Sequence, residues 1–262
     1  MSKQQLTESW MQAGIRLGDC VLLHSSVSRT MRAARSKDVN FSLEDLLQSF
    51  IDAVGEEGTL LLPLFNFAFC SGAEFDIRST PSKMGAITEV ARNDSRFLRT
   101  KHPIYSFAAY GRLASAFALL NNTSALADDG PFGLLRRVDG KVAILDLDDQ
   151  NSMTNYHHIE EVVGVDYRYH KSFTGGYIDA SGVRTTQSFE LFVWDESQGV
   201  RTDVNRAGEF LWGKGLYSGS RPGDGSGLRV IRAQGMFEAI ERLIISGSAS
   251  EYLYSVQAVG SG

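Results

Sequence analysis

Two short apolar runs bracket an amphipathic helix in the first quarter of the chain, and that order restricts the fold more than any other feature. CVLLHSS at 20–26 and TLLLPLF at 59–65 are too short to be buried helices and too continuously apolar for a half-exposed strand. They read as strands covered on both faces. Between them, NFSLEDLLQSFIDAVGEEG carries an apolar stripe of Leu43, Leu46, Leu47, Phe50, Ile51 and Val54. Ser42 and Asp45 stand at capping-box spacing before it, and Gly55 ends it. Strand, helix, strand predicts a parallel crossover unit.

The rest of the chain fits the same plan. An opening helix is expected around Glu8 to Gly14. STPSKMGAITEVARND reads as a polar loop entering a short helix, GKVAILDL as another buried strand, and LRVIRAQGMFEAIERLIIS as a last strand and helix. KSFTGGYIDASGVRTTQSFELFVWD is two β-rich runs about an Asp-Ala-Ser-Gly turn, the pattern of an antiparallel hairpin. The expected fold class is α/β: an α/β/α core about a central, largely parallel or mixed sheet, with an inserted antiparallel β region. One domain over 1–262 is expected, with a hairpin-rich insertion at about 170–200. SGSRPGDGSG reads as an exposed loop, and no internal repeat is visible.

Composition sets outer limits. With 43% hydrophobic and 22% charged residues, the chain has the make-up of a folded soluble protein. A net charge of −5 with no local Lys/Arg cluster gives no electrostatic case for nucleic acid. The N-terminus lacks the apolar core of a signal peptide, and no apolar run could span a membrane, so a cytoplasmic location is expected. Cys20 and Cys70, far apart in apolar surroundings, read as reduced, buried thiols. The oligomeric state is left open, a homodimer included.

Chemistry concentrates at TNYHHIEE, residues 154–161, which holds two of the five histidines. On a helix, Thr154, His157 and Glu160 recur at i, i+3 and i+6 on roughly one face, with Glu161 also near His157. A carboxylate beside an imidazole fixes its tautomer and stabilises the cation formed when the other nitrogen takes a proton, which is what a general base requires. The same spacing serves His158 with Glu161, so periodicity does not choose between the histidines. A solvated helix end is the bland alternative. A metal site lacks the H-E-x-x-H pattern, and no G-x-S-x-G elbow marks a serine hydrolase.

Three further segments bear on the choice: VLLHSSVSRT at 21–30, PSKMGAITE at 81–89 and RTKHPIYSFAAYG at 99–111. With TNYHHIE, in this order and at these distances, they resemble the aminoglycoside 3-N-acetyltransferase family. The resemblance covers residues 20 to about 170, and the C-terminal third matches only in general character. It implies transfer of an acetyl group from acetyl-CoA, as acyl donor and without a metal, to the amine of a small-molecule acceptor such as an amino sugar. The family's histidine falls on His157, which makes Glu160 its orienter, Thr154 a hydrogen-bond donor near the reacting carbonyl, and His158 a bystander.

The resemblance also assigns Ser25 and Ser26, then Ser82, Lys83, Met84 and Gly85, to the cofactor. His102 is a contact or else a structural histidine, and Ser106 and Phe107 fall to the pantetheine channel. Asn66 and Asp76, from the loop NFAFCSGAEFD, and Glu161 are expected on the acceptor side. In one place the chain departs from the family pattern: Asp146 stands where a glycine is usual, with Asp148 and Asp149 beyond it. That puts the acceptor in doubt more than the reaction, and antibiotic resistance does not follow. Two rivals stay open, a non-catalytic CoA or nucleotide-sugar binding protein and a metal-dependent hydrolase using both histidines.

Overall fold

A computed structural model of the chain describes residues 1–152 and 154–256. The first half runs α1 (Lys3–Ala13), β1 (Cys20–Ser25), α2 (Ser28–Arg35), α3 (Leu43–Val54), β2 (Thr59–Pro63), β3 (Phe75–Asp76), α4 (Ala86–Asn93), β4 (Leu98–Arg99), β5 (Phe107–Gly111) and α5 (Ala114–Leu119). The second half runs α6 (Pro131–Arg137), β6 (Lys141–Leu145), α7 (Asn155–Val163), β7 (Arg168–Ile178), β8 (Arg184–Trp194), β9 (Val200–Thr202), α8 (Asn205–Gly213), β10 (Ser218–Gly219), β11 (Leu228–Arg232), α9 (Ala233–Ile245), α10 (Ala249–Tyr252) and β12 (Tyr254–Val256).

Seven strands form the central sheet in the order β10-β11-β6-β1-β2-β5-β4. Its middle, β6-β1-β2, is parallel, and the strands on either side join antiparallel, so the sheet is mixed. β1 shows why its sequence is apolar throughout. Val21 and Leu23 face a core made with α1 and α3, while Cys20 and Leu22 face a second core made with α6, α7 and α9. Each such buried aliphatic side chain is worth about 1.5–3 kcal/mol relative to exposure. The expected α/β/α layering and the parallel pairing of β1 with β2 are both present.

α3 begins where expected, with Ser42 and Asp45 exchanging both capping-box bonds. α1 begins five residues earlier than the sequence suggests. Its first turns are polar, and the deciding signal is a second capping box, Ser2 with Gln5. Trp10 ties α1 to α3, stacked on Phe50 at 4.7 Å and donating its indole N–H to Ser49 Oγ at 2.9 Å. The expected hairpin is β7–β8, paired from Arg168 with Trp194 to Ile178 with Arg184, and β3 adds to its edge. Cys20 is buried and Cys70 half-buried, and both are free thiols.

Candidate active site

The histidine segment is a helix, as its spacing predicts. Thr154 is the cap position before α7, and Gly164, in the left-handed region, closes it by donating to the carbonyls of Glu160 and Glu161. Tyr156 and Ile159 turn into the core, and His157 comes round to the wall of a cavity of about 620 Å³. The size suits a small molecule. β7 and β8 supply most of the wall, and Phe67, Tyr105, Leu126 and the turn of Asp195, Glu196 and Ser197 complete it.

His157 Nδ1 lies 2.8 Å from Glu160 Oε2, with the imidazole 17% exposed and the carboxylate fully buried. A buried carboxylate needs compensation. Glu160 has it: Arg168 Nε stands 2.8 Å from Oε2, and the Tyr167 hydroxyl donates to Oε1 at 2.9 Å. Arg168 is itself held by the Phe192 carbonyl at 3.1 Å and Thr202 Oγ1 at 3.0 Å, and its Nη2 comes within 2.9 Å of His157 Nδ1. Burial, then the Arg168 charge, holds the imidazole below its ordinary range against the opposing pull of Glu160. Burial alone would raise Glu160, but Arg168, His157 and Tyr167 outweigh it and hold the carboxyl below the usual range.

His158, one residue on, sits elsewhere. Its Nδ1 meets the Leu126 carbonyl at 2.6 Å, its ring stacks against Phe132, and burial lowers it to about 4. The two adjacent histidines therefore do not converge. Among the described residues no three His, Cys, Asp or Glu side chains are grouped to hold a metal ion.

The remaining expected residues divide by surroundings. Ser25 Oγ and Thr154 Oγ1 are buried with no hydrogen-bond partner among the described residues. Ser26 is half-buried at the end of β1 and donates its N–H to Leu145. Ser82 is committed to the fold, its hydroxyl accepting from Met84 N at 3.0 Å and meeting Thr88 Oγ1 at 2.8 Å. Lys83 is exposed, Met84 is half-buried, and Gly85, with φ of +116°, caps α4. His102 Nδ1 accepts from the Ile104 and Tyr105 N–H groups, its ring lies edge-on to Phe189, and burial lowers it to about 3. Ser106 accepts from Arg99 Nε at 3.1 Å, and Phe107 packs between Phe65 and Phe132 in the core.

None of the three expected acceptor-side residues lines the cavity. Asn66 caps the 3-10 turn Phe67–Ser71, Asp76 binds Arg78 and its own turn, and Glu161 accepts from Ser124 Oγ at 2.9 Å and pairs with His170 at 3.1 Å. Asp146 does not line the cavity either. It adopts φ of +50° and holds Arg29 Nε with both oxygens at 3.1 and 2.9 Å, so the residue in the family's glycine place keeps a left-handed backbone. Sequence reading missed Tyr167, Arg168 and the aromatic wall. A signal existed for Arg168: a helix burying Glu160 requires a cation, and YRYH directly follows it.

The comparison with known proteins now bears on this geometry. A family model described as aminoglycoside 3-N-acetyltransferase matches residues 22–244. The chain belongs to that family. The resemblance carried by four short motifs is thus borne out across most of the length. The SPbeta prophage-derived aminoglycoside N(3')-acetyltransferase-like protein YokD of Bacillus subtilis (strain 168) is 28% identical over 184 residues. The match covers 61% of this chain and 64% of that protein, so the chain spans a little under two thirds of that relative's length. Solved structures of family members superpose well. AAC-VIa bound to sisomicin gives a TM-score of 0.76 at 20% identity, covering 94% of this chain and 98% of that one. AAC-IIIb in its binary complex with CoASH gives 0.75 at 18%, covering 94% and 97%. At these identities the likeness is one of fold.

Proposed function

We propose that the protein transfers an acetyl group from acetyl-CoA to the amine of a small-molecule acceptor, with His157 as general base. The observation that carries this is the His157–Glu160 pair, at 2.8 Å on the wall of a cavity large enough for an acceptor. Nδ1 faces two groups that demand opposite tautomers, since a carboxylate only accepts and a guanidinium only donates. Arg168 Nη2 has another acceptor in Thr202 Oγ1, whereas the Glu160 carboxylate gains a charge-assisted bond from an Nδ1–H. The Nδ1–H tautomer leaves the Nε2 lone pair as the base.

In the reaction the amine nitrogen attacks the thioester carbonyl while Nε2 takes its proton. The C–N bond forms, the C–S bond breaks, and the departing thiolate receives the proton back from the imidazolium. Glu160 stabilises that cation, while burial and then the Arg168 charge favour the neutral ring at rest. The buried hydroxyls of Ser25 and Thr154, without a hydrogen-bond partner among the described residues, are of the type that would bind the acyl donor and the developing oxyanion. AAC-IIIb binary with CoASH and AAC-VIa bound to sisomicin lend support, as members of the same fold with a donor product and an amine-bearing molecule.

The test is release of free thiol from acetyl-CoA in the presence of amine acceptors, for the wild type and His157→Ala. Acceptor-dependent release that disappears in the variant is the expected result. Unchanged release in the variant would overturn the assignment of the base.

A further inference from the structure

The wall around His157 carries unusual chemistry for receiving a polyamine. Several ammonium groups leaving water together need carboxylates to meet them. The acidic groups here are already engaged. Glu160 is closed into the Arg168 pair. Asp195 accepts from Ser197 N at 3.0 Å, Ser197 Oγ at 2.5 Å and Gln198 Nε2 at 2.9 Å, which holds its own turn. Glu196 is exposed at the rim and stands 3.9 Å from Arg201.

What remains is apolar, aromatic and cationic. Tyr105, Tyr169, Phe173, Leu191, Phe192 and Trp194 supply the surface. Aromatic rings also attract cations, yet this chain's own cations already flank them. Arg168 and Arg201 lie 5.9 and 6.0 Å from the Trp194 ring centre, and Lys171 lies 5.6 Å from that of Phe173. A substrate ammonium placed there would meet like charge. Lys171, an exposed side chain two residues before Phe173 on the same face of β7, lines the same cavity and forms no ion pair among the described residues. It is the cation of this wall that has no carboxylate partner among the described residues.

From the unpaired Lys171 and the aromatic wall beside His157 we infer that the acceptor is a monoamine with a flat or apolar body and an anionic group. The amine meets His157, the body lies against Phe192 and Trp194, and the anion pairs with Lys171. This rests on the acetyl-transfer reading and names the class of acceptor within it. The chain's overall charge of −5 does not conflict, because its acidic excess lies outside this wall.

The probes are 4-(aminomethyl)benzoate, its uncharged methyl ester and the polycation sisomicin. Each is titrated into the full chain by calorimetry, with and without saturating CoA, and thiol release from acetyl-CoA is followed on the same samples. The expected result is binding of the acid about fivefold tighter than the ester, with sisomicin weaker than both, as one exposed ion pair allows. Lys171→Ala should bring acid and ester to within about twofold of each other. Equal binding of acid and ester by the wild type, tightest binding by sisomicin, or no binding of either monoamine would overturn the inference. Binding in the expected order without any thiol release would uphold the acceptor class and sink acetyl transfer. Release with sisomicin alone would do the reverse.

Discussion

Helix α7 separates two buried networks built from nearly the same parts. On one side Glu160 is held by Arg168 and Tyr167; on the other Asp149 is held by Arg229, Tyr156 and Tyr217. Tyr156 and His157 are consecutive, and the turn between them sends one into each network. The Asp149 network is closed: both tyrosines donate to Oδ1 at 2.9 and 2.6 Å, Arg229 pairs with Oδ2 at 3.1 Å and also donates to the Leu147 carbonyl. Gly208 lets the carboxylate in, since a Cβ there would meet Oδ2 at 2.1 Å. The Glu160 network differs by one member, a titratable ring at the edge of a cavity. Carboxylate, arginine and tyrosine make a scaffold in either place. The histidine at the opening is what turns one scaffold into chemistry.

Removing that ring should have the largest effect. His157→Ala is expected to lower turnover by about 10²–10⁴-fold, the usual share of general base catalysis, while the thermal midpoint stays near that of the wild type. Thiol release alongside a melting curve checks both halves, and an equal loss of stability would mean the ring is structural like His158. The opposite pattern is expected across the helix. Asp149→Asn leaves Arg229 as an uncompensated buried cation and should destabilise the fold by about 3–5 kcal/mol in urea, with the pH dependence of the remaining activity unchanged. A shifted pH profile would show that the two networks are coupled through α7.

Arg168 sharpens the contrast because it acts on the histidine through charge. His157 is held below its ordinary range, so the neutral base persists to lower pH than in a free imidazole, and activity should fall only as pH drops through that depressed value. Arg168→Gln removes the repelling cation and leaves Glu160 to favour the imidazolium. The imidazole then titrates at higher pH, so the acid limb of kcat/KM should move upward and activity on that limb should fall. A limb that stays in place while activity falls uniformly would assign Arg168 to holding β7 and not to tuning the base.

Much of this was legible in the sequence, and the division has physical causes. β1, α3, β2 and the hairpin follow from local rules: period, caps and turn residues lie within a few positions of one another. So does the His157–Glu160 pair, which is one helical turn. Arg168 was harder, because its pairing depends on where the chain goes after Gly164. The aromatic wall was harder still, since it joins β7, β8 and the Phe67 turn across more than a hundred residues. The sequence points Ser82, Asn66 and Asp76 toward ligands because short polar side chains serve turns and ligands equally well. Only their hydrogen bonds, spent here on nearby backbone and neighbouring side chains, show how each is used.

A third carboxylate–arginine pair, Asp146 with Arg29, tests the comparison at the surface. Asp146 also accepts from the Gly223 N–H at 3.0 Å, so it ties the 220–227 loop to α2 while occupying a left-handed backbone that favours glycine. Two opposing contributions meet at one residue. Asp146→Gly relieves the backbone and loses the pair, and being partly exposed the pair is worth only about 1 kcal/mol. The net change in urea should therefore be within about 1 kcal/mol of zero. Asp146→Ala loses the same pair and keeps the strain, so it should be less stable than the glycine variant by about 1 kcal/mol. Equal stability of the two would mean the backbone is unstrained and the ion pair alone accounts for Asp146. A large loss in both would mean that this half-exposed pair holds the loop as firmly as Asp149 and Arg229 hold the core.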